Sequence, residues 1–598
     1  MLTYFIFNIS TYYKTMAVAQ KTSDTQSTQI LANPYFSGIA SLFSSHGNPA
    51  FTLWSEKNLT YKFNKNTKSP DHDFAFIWNE NYSLAVESIL HNISAICELE
   101  FSEVAHDADI DFWYYHSEDK VYGYSYGVGG SGVFLNAGNL INSTIPFNGY
   151  DYLTIAHEIV HNLGLSHPFD GYANFPEVSS PLDSGRQSSN QNLYTITSYN
   201  DTGTTSEEGI EINPPYRSDQ LDYGLSALGV IDQAFLQLLY EEQTNNQNDT
   251  LYIVDGNKVG SPWSTIWDTA GTDTIEIRST SLQDAYINLQ PARFQPNNET
   301  IHLGGISTIL GAGYVGGYII GENVEIENAS TGLGNDIIIG NQYSNHITSE
   351  GGNNTVETNN GYNLVELGSG NDIVKLSANG IWSDAYFAEN TARLHKNSTS
   401  EKIPLHGLNK YTDQIFTGDG FDEIHLSNQN DAFFLDDQFS NVFQTKFETS
   451  KNDKGYKERI IDVEKIYAGN GDDLLDMTSV AIEASNMELV GGNGNDIIWA
   501  GAGDDILIGG SGNDQLNGGA GDDHLNGGIG ENTFSFAGNF GNDLIHDWND
   551  GINLLKFYNL EQVNPIVFEN TINFDSFGTI TFKDMDFDLV AQIKIEIA

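Results

Sequence analysis

Apolar residues recur at helical spacing over 83–97, where Leu84, Val86, Ile89, Leu90, Ile93, Ile96 and Cys97 form one stripe. The same spacing predicts a helix over roughly 148–163. It predicts another over roughly 220–240, with Leu221, Leu225, Leu228, Ile231, Phe235 and Leu238 in register. Residues 99–104 and 110–114 read as short strands, the second with Ile110, Phe112 and Tyr114 on one face. Residues 1–50 show no clear period. Residues 123–133, rich in Gly, Tyr and Ser, read as loop or edge strand, and Asn, Gln and Thr at 244–250 mark a linker.

Beyond residue 250 helical spacing gives way to a period of nine. Through 491–535 the units GGNGNDIIW, AGAGDDILI, GGSGNDQLN, GGAGDDHLN and GGIGENTFS follow one another. They set Asp496, Asp505, Asp514 and Asp523 nine apart, followed by Asn532, and an apolar residue follows each by two. A quieter block from 331 to 375 keeps the period with Asp336, Asn345, Asn354, Asn363 and Asp372. Isolated copies lie at 417–434 and 468–476. Each unit reads as a turn and a short strand. Gly permits positive φ and bares backbone carbonyls. Stacked turns gather carbonyl and Asp oxygens at a spacing that suits calcium, which takes about six to eight oxygen ligands. The apolar residues fill the interior of a parallel β-roll; a flexible linker has no reason to place one at every ninth position. Asn carries no charge, so calcium binding is expected to be weaker or sparser over 340–366.

Composition sharpens this picture. With 26 Lys and Arg against 80 Asp and Glu, the net charge is −54. That charge repels nucleic acid and anionic membranes and favours metal cations. Apolar content of 39% supplies real cores. Cys97 stands alone, so no intrachain disulfide framework forms. Without cations the clustered Asp residues repel, and calcium is expected to drive folding of the roll in place of disulfides. No run of about 18 apolar residues is present, so no membrane span is expected. The first residues, MLTYFIFNISTYYKTM, lack a basic n-region and a small-residue cleavage site, and Met16 is an alternative start.

The segment YDYLTIAHEIVHNLGLSHPFD carries His157, Glu158, His161, Gly164 and His167. On a helix His157 and His161 share a face, with Tyr152, Ile155, Ile159 and Leu163 opposite. Gly164 can end the helix at positive φ and return the chain to deliver His167. Three imidazoles suit zinc and leave a position open for water, whose proton Glu158 would take as general base. The chance of such a match in a chain of this length is about 2 in 10,000. His91, His106 and His116 have no ligand spacing and read as ordinary residues; Cys97 reads as core.

The motif HExxHxxGxxH resembles that of the metzincins, and Ser166-His167-Pro168 with calcium-binding repeats downstream is similar to the serralysin group. Residues 58–64 resemble the family's first protease strand, and Ile231-Asp232 ahead of Leu239-Tyr240 resembles the end of its protease domain. Residues 267–274 resemble the start of its calcium-binding region, with Asp268 and Asp273 as further calcium ligands. The resemblance implies an α+β metzincin-like protease domain followed by a calcium-binding parallel β-roll or β-sandwich region. The division is an extension or short propeptide (1–50), the protease domain (51–245), a β-rich start of the C-terminal region (246–330), a first roll block (331–376), an extended β region (377–490), a second block (491–535) and a secretion-signal region (536–598). No cysteine stands in the first 50 residues, which excludes a cysteine-latched zymogen.

Function follows the resemblance as an expectation: a secreted, monomeric, calcium-stabilised zinc endopeptidase acting on proteins or peptides, exported by a type I secretion system. Its calcium ligands are Asp268, Asp273, Asp336, Asp372, Asp496, Asp505, Asp514 and Asp523. Where the family has a Met-Ser-Tyr turn beneath the zinc, this chain has Thr195-Ile196-Thr197-Ser198-Tyr199. Tyr199 keeps the tyrosine that supports the oxyanion. Thr197 replaces a methionine that is a packing floor, so the change bears on zinc-site stability more than on chemistry. The alternatives are an inactive pseudo-protease serving as a calcium-dependent extracellular binding protein, and a zinc hydrolase acting on something other than peptides.

Overall fold

A computed structural model describes residues 19–40, 42–44, 50–64, 80–116, 121–130, 132–136, 150–169, 174–181, 183–199 in part, 204–205, 211–212, 228–258, 262–278, 282–294, 301–310, 316–383, 387–389, 402–435, 458–479, 486–548, 553–558, 565–583 and 595–597, with a few isolated residues between. It divides into two compact units, Met1–Ile326 and Glu327–Ala598.

The first unit opens with β1 (Ala19–Lys21) and two short helices, α1 (Asp24–Ala32) and α2 (Pro34–Ile39). Ser23 caps α1 by accepting from the Gln26 N–H, while Gln26 Oε1 accepts from the Ser23 N–H. Asn33 caps α2 by accepting from Tyr35 and Phe36, with Pro34 at the first helical position. Gln26 donates to the carbonyls of Leu238 and Leu239, and Asn33 to that of Phe294. Residues 19–40, which the sequence places in an extension, are therefore built into this unit. β1 pairs with β3 (Ala50–Trp54), which pairs with β2 (Leu42–Ser44).

A five-stranded sheet follows. It comprises β4 (Asn58–Phe63), β5 (Glu100–Glu103), β6 (Ile110–Tyr115), β7 (Gly123–Ser125) and β8 (Val133–Asn136), in the order β5-β4-β6-β8-β7. Only the edge strand β7 runs antiparallel. In the central strand β6 Ile110, Phe112, Trp113 and Tyr115 are all buried, so both faces are covered. Helix α3 (Glu80–Ile96) buries Ala85, Val86, Ile89, Leu90, Ile93 and Ile96 and packs on α4 (Tyr150–Asn162), which in turn lies on β7 and β8. Helix α5 (Val230–Tyr240) starts later than the spacing predicts; Leu221 and Leu225 lie outside the described residues. Residues 244–250 are pinned down: Asn245 donates to the Trp267 carbonyl, and the Thr250 N–H to Asp273. The unit closes with two neighbouring parallel strands, Leu251–Asp255 and Thr274–Arg278, and four strands hydrogen-bonded in the order Ser264–Ile266, Tyr318–Ile320, Ile306–Ile309 and Ala285–Asn288. Among the described residues no helix is long and apolar enough to cross a membrane.

The second unit is a roll of short parallel strands. Each full turn uses two nonapeptides, so equivalent residues pair 18 apart. One interior row runs Ile338, Val356, Val374, Ile424, Ile466, Leu489, Leu507, Leu525, Ile545 across successive paired strands. An opposite row runs Leu475, Ile498, Leu516, Phe534, Leu555. All are buried. The register survives insertions: Val374 pairs directly with Ile424 although Asp372 and Asp422 stand 50 apart in the chain. The turns demand glycine. Gly512 has φ of 141°, and a Cβ there would lie 1.7 Å from the Gly494 carbonyl oxygen.

Candidate metal centres

Helix α4 ends at Asn162, and Gly164 at φ of 110° turns the chain back toward it. The Ser166 N–H donates to the Ile39 carbonyl at 2.7 Å, which fixes the returning strand. His157, His161 and His167 thereby converge, with Nε2 atoms 3.0, 3.2 and 3.2 Å apart. A tetrahedral zinc with ligands at about 2.0–2.1 Å needs nitrogens roughly 3.3 Å apart. His157 Nδ1 lies 2.9 Å from the Ile196 carbonyl, and His161 Nδ1 2.8 Å from that of Leu165. Carbonyls only accept, so each Nδ1 carries the proton and each Nε2 keeps its lone pair. Lone pairs this close repel without a cation among them, so the donor set fits zinc. Among the described residues this is the one group of three His, Cys, Asp or Glu with converging ligand atoms.

Tyr199, half exposed, places its hydroxyl 2.8 Å from His167 Nε2. Phe169 stacks on the His167 ring at 5.0 Å. Glu158 is buried beside His157. Burial pushes its carboxyl up to about 8. The edge strand β7 presses on it; a Cβ at Gly123 would lie 3.0 Å from Glu158 Cγ. His91, His106 and His116 are exposed and take no part.

In the roll the Asp residues form rails. Oδ1 of each accepts the backbone N–H of its equivalent one turn earlier. Asp496 thus donates to Asp514 at 2.8 Å, Asp505 to Asp523 at 2.9 Å, and Asn354 to Asp372 at 2.7 Å. Asp336 heads one rail, donating to Asn354. The Oδ2 atoms of Asp372, Asp496, Asp514 and Asp523 are buried and meet no protein donor. Burial is the main cause raising these carboxyls: Asp372 and Asp514 to about 6, Asp496 and Asp505 to about 7, and Asp523 to about 8. Buried anionic oxygens beside turn carbonyls fit calcium. The Asn rungs differ. Asn354 and Asn532 spend their amides on the carbonyls of Gly352 and Gly528.

Asp268 is buried with Oδ1 unpartnered and Oδ2 accepting from the Tyr252 hydroxyl. Asp273, also buried, accepts from Thr250. The sequence reading missed Asp422 and Asp473, which carry the same buried, unpartnered Oδ2. Both stand at the sixth place of the isolated nonapeptides, which was the signal available. Asp413 joins the rail without a glycine-rich turn before it, accepting from Asn363.

Residues 245–463 match the peptidase M10 serralysin C-terminal family, and residues 488–516 and 504–534 match the RTX calcium-binding nonapeptide repeat. Serralysin from Photorhabdus laumondii is 32% identical over 222 residues, covering 36% of this chain and 42% of its own. Serralysin from Proteus mirabilis is 28% identical over 336 residues, covering 50% and 61%. Metallopeptidase AprA from Pseudomonas marginalis is 32% identical over 221 residues, covering 34% and 40%. The chain spans about half the length of these relatives.

Proposed function

We propose that this chain is a calcium-stabilised zinc endopeptidase of the serralysin kind, with a metzincin-like protease domain, working outside the cell after type I export. The observation that carries the reading is the convergence of three imidazole Nε2 atoms, two of them left unprotonated by the carbonyls behind their rings. The kinship with serralysins supplies the substrate class, proteins and peptides.

His157, His161 and His167 would hold the zinc, which supplies Lewis acidity toward the scissile carbonyl and the attacking water. Glu158 takes the proton of the water as its oxygen bonds to the carbonyl carbon. It then passes that proton to the leaving amine as the C–N bond breaks. The Tyr199 hydroxyl donates to the oxyanion in between. Asp268 and Asp273 in the first unit, and Asp336, Asp372, Asp496, Asp505, Asp514 and Asp523 in the roll, would hold calcium, which would offset their mutual repulsion and favour folding.

The test is casein hydrolysis by protein refolded with calcium and zinc, beside Glu158→Ala. Cleavage by the wild type alone supports the reading. Zinc bound at one per chain with neither protein cleaving would replace it with the pseudo-protease.

A further inference from the structure

Thr197 follows Ile196, whose carbonyl lies 2.9 Å from His157 Nδ1, and stands where the resemblance leads one to expect methionine. Its surroundings are polar and closed. Thr195, Thr197 and Asp232 are all fully buried or nearly so. Asp232 Oδ1 accepts the Thr195 hydroxyl at 2.6 Å. Its Oδ2 accepts the Ile196 N–H at 2.6 Å and the Gly229 N–H at 3.1 Å. The Thr195 hydroxyl has spent its proton on Asp232, so across the 2.8 Å contact between the two threonine hydroxyls Thr197 is the donor. The Thr197 hydroxyl is thus chained to the Asp232 carboxylate through that of Thr195.

The Ile196 residue links this cluster to the metal side. Its N–H is held by Asp232, and its carbonyl accepts from His157 Nδ1 at 2.9 Å. The peptide unit bearing that carbonyl also bears the Thr197 N–H, which points at Thr195 Oγ1 at 3.4 Å. Asp232, Thr195 and Thr197 therefore fix the plane of the group that orients the His157 ring. A methionine floor supports the ligands by packing alone, whereas this one grips the backbone behind a ligand through hydrogen bonds.

We propose that Thr197 and Asp232 are positioning residues that aim His157 through the Ile196 carbonyl, a hydrogen-bonded floor replacing an apolar one. The inference rests on His157, His161 and His167 holding zinc. Loss of such a partner behind a ligand typically weakens metal affinity about 10- to 100-fold.

Thr197→Val keeps the shape and removes only the hydroxyl; Thr197→Ser restores it. Zinc affinity is read by chelator competition, and ligand geometry by the visible absorption of the cobalt-substituted protein. Thr197→Val is expected to lower affinity about tenfold and shift the cobalt bands, with Thr197→Ser returning both. Asp232→Asn is expected to do the same more strongly, and if it does not fold the threonine pair alone decides. A Thr197→Val protein with unchanged zinc affinity and cobalt spectrum but a lower melting temperature would overturn the inference and leave Thr197 a packing residue. Wild-type protein that binds no zinc would instead overturn the metal-centre reading itself.

Discussion

Replacing Asp523 by Asn sets two opposed contributions against each other. Asp523 is 1% exposed; its Oδ1 accepts the Asp505 N–H at 2.9 Å, while Oδ2 meets no donor. Burial, then the charges of Asp505, Asp504 and Asp522, push this carboxyl up to about 8. In the unfolded chain it titrates near 3.9. Without calcium the folded protein must therefore hold a proton at pH 7, at a cost of about 4 kcal/mol over roughly three pH units. Asn keeps the Oδ1 acceptor and removes the charge. Asn354 and Asn532 show how an amide at this place reaches a turn carbonyl. Asp505 and Asp543, whose Oδ1 accepts the Asp523 N–H at 3.0 Å, share the repulsion, so we expect about half the cost to be relieved, ~2 kcal/mol, or an increase of about 4–8 °C in melting temperature in EGTA. In millimolar calcium the sign should reverse, because under the proposed function Asp523 is an anionic calcium ligand. Melting curves at pH 7 in the two conditions decide. Destabilisation in EGTA as well as in calcium would refute the argument, because Oδ2 would then have a stabilising partner within the protein.

The cation-free roll should respond to pH in the same sense. Asp496, Asp505 and Asp523 titrate at about 7, 7 and 8 when folded, above the unfolded value, so stability in EGTA is greatest at acid pH. It should fall as pH rises from about 4 and level off above about 8; with calcium saturating, protons compete for the ligands and acid should destabilise. Melts across this range in both media check it, and stability rising with pH in EGTA would contradict it. Tyr199→Phe removes the hydroxyl 2.8 Å from His167 Nε2 and should lower kcat about 100- to 1,000-fold while zinc content stays at one per chain; a fall in zinc content would make Tyr199 chiefly a ligand support. Gly229→Ala would put a Cβ 2.4 Å from the Tyr194 carbonyl oxygen, prising α5 from the floor beneath His157, and should cost about 1–3 kcal/mol in a denaturant titration.

The period of nine, and with it the roll, was legible because every unit repeats the same local requirement. A glycine turn at positive φ, a buried Asp and an inward apolar residue recur wherever the chain completes half a turn. The histidine triangle was legible for a similar reason, since a four-residue helical spacing and Gly164 at φ of 110° set most of its geometry within eleven residues. Other features arise only when distant segments meet. The Asp372-to-Asp422 rung spans 50 residues, so the intervening insertion erases the period although the register continues. The helices at Asp24–Ala32 and Pro34–Ile39 are too short to show a stripe and are held by α5 and Phe294. The Ile196 carbonyl behind His157 leaves no trace in sequence, because backbone acceptors have no identity there, and Asp232 is legible as a residue while its place behind Ile196 is not. Sequence by itself determined which chemistry is repeated along this chain and which three imidazoles can meet. The tertiary structure decided what stands behind His157, since a hydrogen bond between distant segments depends on where they are packed and not on how far apart they are written.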